Sequence, residues 1–476
     1  MDHTVRRIVR DMHAHENYGS GRHLAEQGAD LRHIREFNRL LVLNYVRDHG
    51  PITRVMLAKR LGLSRTTVSS IMDVLLQERL VREGHFLEAT SRGGRRAILV
   101  HFNADAGRAL GLDVGRTHLT MILTNLALEI VAQRSVSFDT DRGPEVCLPI
   151  LISEIRTFVE ASMVSWEVIV GIGLGIPGPL SVDLRRLSSP PHMPGWDNID
   201  IWESLHVAFN KLLYIDNDAN MGALGENRYG AGRGTSDMAY VKIGTGIGSG
   251  LIMNGRIYRG HRGSAGELGH LTIDENGPPC VCGNRGCLET LASAGPIVAD
   301  AQQGLSLARK LASEDNSLVY TPVLSSRANV DIADVVAAAQ HGDAASIASL
   351  ERAGERIGLV LAGLVNLFNP EAIVIDGSVA RAGEILLAPL MRVAASASLP
   401  AAWKDTKILP GELGVTAIAL GAAFTVLDAA FGVHAHSVPA ASPGADASIL
   451  ASEHFLNPAL PKDEIPRRYP GRHAQK

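Results

Sequence analysis

The sequence predicts two parts, a small basic α+β domain followed by a much larger α/β body. Three observations predict this. Apolar residues recur at helical spacing between residues 34 and 75, then give way to two short strand-like segments. From about residue 110, short apolar strands end in glycine-rich turns and alternate with longer amphipathic stretches. Charge is also unevenly distributed. Residues 31–101 hold 13 Lys/Arg against 6 Asp/Glu, in a chain whose net charge is −4. A small basic unit on an acidic body suggests a polyanionic partner for the small unit alone.

A chain of 476 residues is too long for one ordinary core, and 46% hydrophobic with 20% charged residues is usual for a globular protein. Arg6, Arg7 and Arg10 alternate with Asp2, Asp11 and Glu16, without the apolar core of a signal peptide. The apolar stretches are broken by glycines, so no membrane span is expected. The expected location is the cytoplasm.

Residues 1–30 have no period and are expected to form a tail. Ile34, Phe37, Leu40, Leu41, Leu43, Asn44 and Val46 then define a first helix, which Gly50 and Pro51 stop. Thr53 can cap a short second helix with Val55, Leu57, Ala58 and Leu61 inward. Gly62 supplies a turn, and Ser64 caps a third helix from residue 65 to about 79. Val68, Ile71 and Leu75 form its buried stripe. Arg65, Thr66, Thr67, Ser69 and Ser70 cluster on or near the outward face of its first turns, suited to phosphates and base edges in a major groove. Strand-like segments at 80–82, 86–88 and 97–101 flank a loop carrying Arg92, Arg95 and Arg96, which can reach a backbone or minor groove. Helix, short helix, turn, helix and basic hairpin read as a winged helix-turn-helix over residues 31–103, with double-stranded operator DNA as partner. The competing reading is a helical dimerisation domain.

The body, residues 104–433, carries its chemistry on strand ends. Asp113-Val114-Gly115-Arg116-Thr117 follows one strand, residues 168–178 form another, Gly244-Thr245-Gly246-Ile247-Gly248-Ser249-Gly250 lies in a third region, and Asp376-Gly377-Ser378 ends a fourth. Glycine-rich strand ends let backbone N–H groups approach phosphate oxygens. Their recurrence suggests a nucleotide-type cleft between two lobes, though no Gly-Lys-Ser/Thr follows to make a P-loop. Residues 331–342 and 346–367 read as helices with alanine-rich packing faces. After residue 433, Pro, Ala, Ser and charged residues dominate without period, and 434–476 is expected to be a loosely ordered tail.

Of four cysteines, Cys280, Cys282 and Cys287 fall in one glycine-rich octad separated from His270 by nine residues, and Cys147 stands alone among apolar residues. One imidazole and three thiolates form a closed tetrahedral set for a structural Zn²⁺. Cys147 is expected to be a buried thiol.

The chain resembles the ROK family of repressors and sugar kinases. Three signatures carry the resemblance: Gly263-Ser264-Ala265-Gly266-Glu267-Leu268-Gly269-His270, Cys280-Val281-Cys282-Gly283-Asn284-Arg285-Gly286-Cys287-Leu288-Glu289, and Asp216-Asn217-Asp218-Ala219-Asn220-Met221-Gly222-Ala223-Leu224-Gly225-Glu226. The resemblance implies an actin-like, hexokinase-like (ribonuclease H-like) two-lobed α/β domain. It implies sugar binding by Asn217, Asp218, Glu267, His270 and Glu289, with Asp218 as catalytic base if the protein were a kinase. It also places Asp113, Gly115, Thr117, Gly244, Thr245 and Gly246 around nucleotide phosphates.

The departures are specific. Arg116 stands where kinases of the family have a second glycine, Asp376-Gly377-Ser378 replaces a glycine-rich loop, and His192 replaces an asparagine before Pro194-Gly195-Trp196. ATP binding is therefore expected to be weakened rather than abolished, and the kinase-like domain to be non-catalytic or to retain only residual sugar kinase activity. The resulting expectation is a sugar-responsive repressor acting as a homodimer or homotetramer. Two alternatives remain: an ATP-dependent sugar kinase with a DNA-binding appendage, and a sensor of a phosphorylated or non-sugar ligand using Arg116.

Overall fold

The computed structural model describes residues 31–86, 97–181, 183–188, 190, 193–314 and 330–432. The expectations for both tails, His192 and the wing arginines Arg92, Arg95 and Arg96 lie outside these residues.

The N-terminal part runs α1 (Leu31–His49), β1 (Ile52–Thr53), α2 (Arg54–Leu61), α3 (Arg65–Gln77), β2 (Val81–Phe86) and β3 (Ile98–Phe102). Its strands form an antiparallel sheet in the order β1-β3-β2. Helix starts follow the expected caps: Thr53 Oγ1 accepts from Met56 N, and Ser64 Oγ accepts from Thr67 N at 3.0 Å. Leu43, Val46, Leu57, Val68, Met72, Leu75 and Val100 close the core. Val55, expected to face inward, is instead exposed, as are Ile34 and Phe37 of the apolar positions that define the first helix. Ile34 and Phe37 lie on the first turns of α1, N-terminal to its buried residues Val42, Leu43 and Val46.

The body contains two five-stranded sheets of the same design. The first joins β4 (Arg108–Val114), β5 (His118–Asn125), β6 (Ile130–Ser137), β7 (Ile169–Ile176) and β8 (Leu212–Asn217) in the order β6-β5-β4-β7-β8. The second joins β9 (Met238–Ile243), β10 (Ile247–Met253), β11 (Arg256–Ile257), β12 (Ala372–Asp376) and β13 (Lys407–Pro410) in the order β11-β10-β9-β12-β13. In each, three antiparallel strands are extended by two parallel ones. This repeat makes the two lobes.

In the first lobe, α4 (Pro144–Ala161) and α5 (Ile201–Phe209) cover one face, packing Leu151, Ile155, Phe158 and Leu205 on Leu110, Leu112 and Leu174. Cys147 is buried there, with its Sγ 3.2 Å from the Asp139 carbonyl and its pKa raised by burial. Between the sheets run α6 (Asp218–Tyr229) and the last described helix. The second lobe adds α7 (Leu288–Ala292), α8 (Ala294–Glu314), α9 (Ile332–Gln340), α10 (Ala344–Phe368), α11 (Glu384–Ala397) and α12 (Pro400–Trp403). Its outer core joins Val241, Ile243, Ile373 and Ile375 to Ile297, Leu350, Ile357 and Leu390.

The last described helix, α13 (Ala417–Phe431), carries alanines and glycines where it meets backbone. At its crossing with α6, a Cβ on Gly421 would lie 1.8 Å from the Met221 carbonyl oxygen, and one on Gly225 would lie 2.2 Å from that of Ala417. Glycine is what lets these helices touch. The segment Gly414–Phe431 is long and apolar enough to cross a membrane, contrary to the expectation from sequence. Its apolarity serves the interior, since Ala417–Ala423 are all buried against α6 and the first sheet.

Candidate functional site

The outward end of α3 carries the residues expected to meet nucleic acid. Arg65, Thr66 and Ser70 are exposed, and Thr67 and Ser69 are half-buried. The Thr66 and Thr67 hydroxyls each lie 2.8 Å from Ser64 Oγ. The helix cap thus orders two of the hydroxyls that would meet a phosphate. Nearby cations are not all available, because Arg54 pairs with Asp73 at 2.9 Å and Glu83 at 3.0 Å.

Between the lobes lies a cavity of about 630 Å³. It is lined by all five expected sugar-site residues and by Asp113, Gly115, Thr117, Gly244, Thr245 and Gly246. The fold converges them from separate strand ends. Asn217 ends β8 and caps α6, its Oδ1 accepting from Ala219 N (2.9 Å) and Asn220 N (3.3 Å) while Nδ2 donates to the Gly178 carbonyl. Asp218 opens α6, where the helix N-terminus favours a carboxylate. Glu289, on α7, is buried and accepts from Ile247 N at 2.9 Å. It therefore braces the glycine loop as well as lining the cavity. Glu267 follows the left-handed Gly266, and its pKa is pushed up to about 7 by burial and then by the charges of Asp218 and Glu289.

His270 links this cavity to the cysteine cluster. Its Nε2 is 4.0 Å from Glu267 Oε2, on the cavity side, and its Nδ1 is 3.6 Å from Cys280 Sγ. Cys282 Sγ is 3.7 Å from Cys287 Sγ, and all four donor atoms lie within 4.8 Å of one another. Tetrahedral thiolate coordination puts neighbouring sulfurs about 3.8 Å apart, so the set fits one metal ion. Burial, then the neighbouring thiols, push the Cys287 thiol up to about 12. Gly286 allows the fold-back: its φ is +59°, and a Cβ would collide with the Asp274 carbonyl oxygen.

The phosphate half differs from its sequence reading at one point. Arg116 lines the cavity, but its guanidinium is paired with Asp141, Nε at 3.2 Å and Nη2 at 2.8 Å. It is thus partly neutralised from outside the cavity. Asp113 Oδ2 lies 3.1 Å from His118 Nε2.

Sequence reasoning missed Lys242. Its Nζ donates to Asp218 Oδ2 at 2.8 Å. Burial alone would lower its pKa, but Asp218, then Asp113 and Asp376, hold it above the ordinary lysine value. The signal was present, since a lysine inside the apolar strand Tyr240-Val241-Lys242-Ile243 needs a buried anion. Tyr240 was also missed, and its hydroxyl donates to Asp376 Oδ2 at 2.9 Å.

Comparisons with known proteins agree with this geometry. Residues 109–429 match the ROK family, and residues 36–97 match the MarR family. The xylose repressor of Bacillus subtilis (strain 168) is 33% identical over 400 residues, covering 84% of this chain and 97% of that protein. A solved ROK family transcriptional regulator, described as a homologue of the E. coli MLC protein, is 28% identical. It covers 84% of this chain and 97% of that one, with a TM-score of 0.69. A ROK family glucokinase from Streptomyces griseus, solved with glucose and AMPPNP, is 25% identical. The match covers 67% and 99% of the two chains, with a TM-score of 0.60. The chain therefore belongs to the ROK family, and its two-lobed domain is preceded by a MarR-like winged helix-turn-helix.

Proposed function

We propose that this protein is a DNA-binding transcriptional repressor of carbohydrate genes, controlled by a sugar held in the interlobe cavity. The observation that carries the reading is a continuous path between two sites. Asn217 and Asp218 start α6, α6 crosses α13 at backbone contact, and the end of α13 meets α1 of the winged domain. There Asn44 Nδ2 donates to the Phe431 carbonyl at 3.0 Å. A ligand that shifts α6 would shift the DNA-binding domain with it, and half-site spacing makes DNA affinity sensitive to such a shift.

In the sugar half, Asn217, Asp218, Glu267, His270 and Glu289 would bond hydroxyl groups, which both donate and accept. A site built to pair each hydroxyl rejects analogues lacking one. Zn²⁺ on His270, Cys280, Cys282 and Cys287 would be structural, supplying a fixed orientation for the imidazole. Nδ1 faces the cysteines, which leaves the Nε2 side toward the ligand.

The domains proposed are a DNA-binding unit at residues 31–103 and an effector unit at 104–433. The working form would be a cytoplasmic homodimer or homotetramer, as two-fold DNA sites favour. A non-catalytic role is supported by Asp218, whose carboxylate is held in an ion pair with Lys242. A phosphorylated effector is disfavoured by charge. The cavity is lined by five carboxylates (Asp113, Asp218, Glu267, Glu289 and Asp376) against Arg116, Lys242 and Arg381. Arg116 is already paired with Asp141.

Calorimetric titration of zinc-loaded protein with a panel of neutral sugars and with Mg-ATP tests the reading, followed by operator binding with and without the sugar. The expected result is one sugar bound without ATP, together with a changed operator affinity. Sugar-dependent ADP release would establish the kinase alternative instead.

A further inference from the structure

We propose that Lys242 serves as a built-in cation where a phosphate-transferring cleft would hold a divalent metal, making this cavity a metal-independent binder of neutral ligands. The argument begins with the oxygens. Asp113 is the penultimate residue of β4, Asp218 opens α6 and Asp376 ends β12, and all three line the cavity beside the Gly244–Gly246 backbone. Carboxylate oxygens next to a glycine-rich backbone able to approach phosphate oxygens form a hard donor set suited to Mg²⁺ or Mn²⁺.

In this chain that set already contains a positive charge. Strand register pairs Lys242 with Asp376 on adjacent parallel strands, so both project from the same face of the sheet, the face that also carries Tyr240. The ammonium lies 2.8 Å from Asp218 Oδ2. Asp113 Oδ2 is occupied by His118, while its Oδ1 is buried and lacks a hydrogen-bond partner among the described residues. Asp113 itself is only 4% exposed. The site thus holds an internal cation and one oxygen still in need of a partner. A divalent ion placed among these carboxylates would face the repulsion of the ammonium, and Asp218 would have to leave its ion pair to ligate it.

The same ion pair occupies Asp218 Oδ2, an oxygen that would otherwise be open to a substrate hydroxyl. A polyol needs none of this chemistry, only donors and acceptors. For that consequence the inference rests on the sensor reading above, whereas the charge substitution itself does not.

Mn²⁺ uptake, followed by electron paramagnetic resonance of the free ion, tests the proposal on zinc-loaded protein. Wild type, Lys242→Met and the double variant Lys242→Met/Asp113→Asn would be compared. The expected result is one Mn²⁺ site in Lys242→Met at least 30-fold tighter than any in wild type, and its loss in the double variant. Thermal melting should follow, with Mn²⁺ raising the midpoint of Lys242→Met and leaving wild type unchanged. If Lys242→Met does not fold, Lys242→Gln serves in its place. A stoichiometric site in wild type that disappears with Asp113→Asn overturns the proposal, as does a Lys242 variant that folds and gains no site. Wild type that binds no sugar while showing the expected Mn²⁺ pattern would sink the sensor reading and leave the role of Lys242 standing.

Discussion

The crossing of α6 and α13 gives the sharpest quantitative prediction, because backbone faces backbone. In Gly421→Ala the new methyl would sit 1.8 Å from the Met221 carbonyl oxygen and 2.9 Å from Gly225 N. Relief to ordinary contact requires about 1.5 Å of separation between the helices. Yet α13 is also wedged on the first sheet, where a Cβ on Gly111 would lie 1.9 Å from the Ala419 carbonyl oxygen. No rotamer change can absorb the methyl, so overpacking of about 3 kcal/mol is expected. The better helix propensity of alanine offsets about 1 kcal/mol, leaving a net loss of about 2 kcal/mol. Gly363→Ala is the control. It lies within α10 with nothing within 4 Å of a new Cβ, so it should gain about 0.5–1 kcal/mol. Urea unfolding would compare the midpoints of both variants with wild type. Because Asn217 and Asp218 start α6, Gly421→Ala should also weaken sugar binding about tenfold. Gly421→Ala as stable as wild type, or equal effects of the two variants, would refute the close-packing argument.

Further outcomes follow from single contacts. Asn44→Ala removes the bond to the Phe431 carbonyl and should weaken docking of the winged domain by about 1 kcal/mol. Fluorescence anisotropy on operator DNA, with and without sugar, should then show a smaller sugar response at unchanged sugar affinity. Cys287→Ser should abolish zinc uptake by the proposed His270, Cys280, Cys282 and Cys287 set, measured by atomic emission, and lower sugar affinity about 10–100-fold by releasing His270. Arg65→Ala, at the exposed start of α3, should cost about 1–3 kcal/mol in operator binding. A reduced slope of affinity against salt would assign Arg65 to phosphate, and relaxed sequence preference would assign it to a base.

What could be read from the sequence had local causes. Caps, turns and the clustering of thiols depend on neighbours a few residues away, so Thr53, Gly62, Ser64 and the grouping of Cys280, Cys282 and Cys287 could be read locally. The glycine-ended strands were legible because each loop carries its reason in its own composition. What escaped was set by partners remote in the chain. Arg116 read as a phosphate-site charge until the fold brought Asp141 to it, 25 residues away. Lys242 drew no reading from the sequence, because its partners Asp218 and Asp376 reach it from two other elements. Phe37 belongs to the apolar period of the first helix yet is exposed, because periodicity shows a face without showing how much of it is covered.

The division between local and remote also bears on how a ligand signal could travel. The cavity residues are held by loops and strand ends, which can adjust. The helix behind them cannot, because α6 and α13 share glycine contacts and α13 rests by its backbone on Gly111 and Gly173. Contacts of that kind do not deform gradually, since there are no side chains to repack between the two surfaces. A shift at the start of α6 must move α13 as a body or be refused. At the other end of α13, the joint to α1 has softer parts: a side-chain amide on the Phe431 carbonyl and the Leu40 side chain near Gly432. Asn44 Oδ1 is buried there without a hydrogen-bond partner among the described residues, so the joint is not polar-saturated. Motion transmitted through a stiff rod into an imperfectly satisfied joint reorients the winged domain more readily than it distorts the rod. This ordering explains why Asn44→Ala should uncouple the two sites without weakening the sugar, whereas Gly421→Ala should damage both.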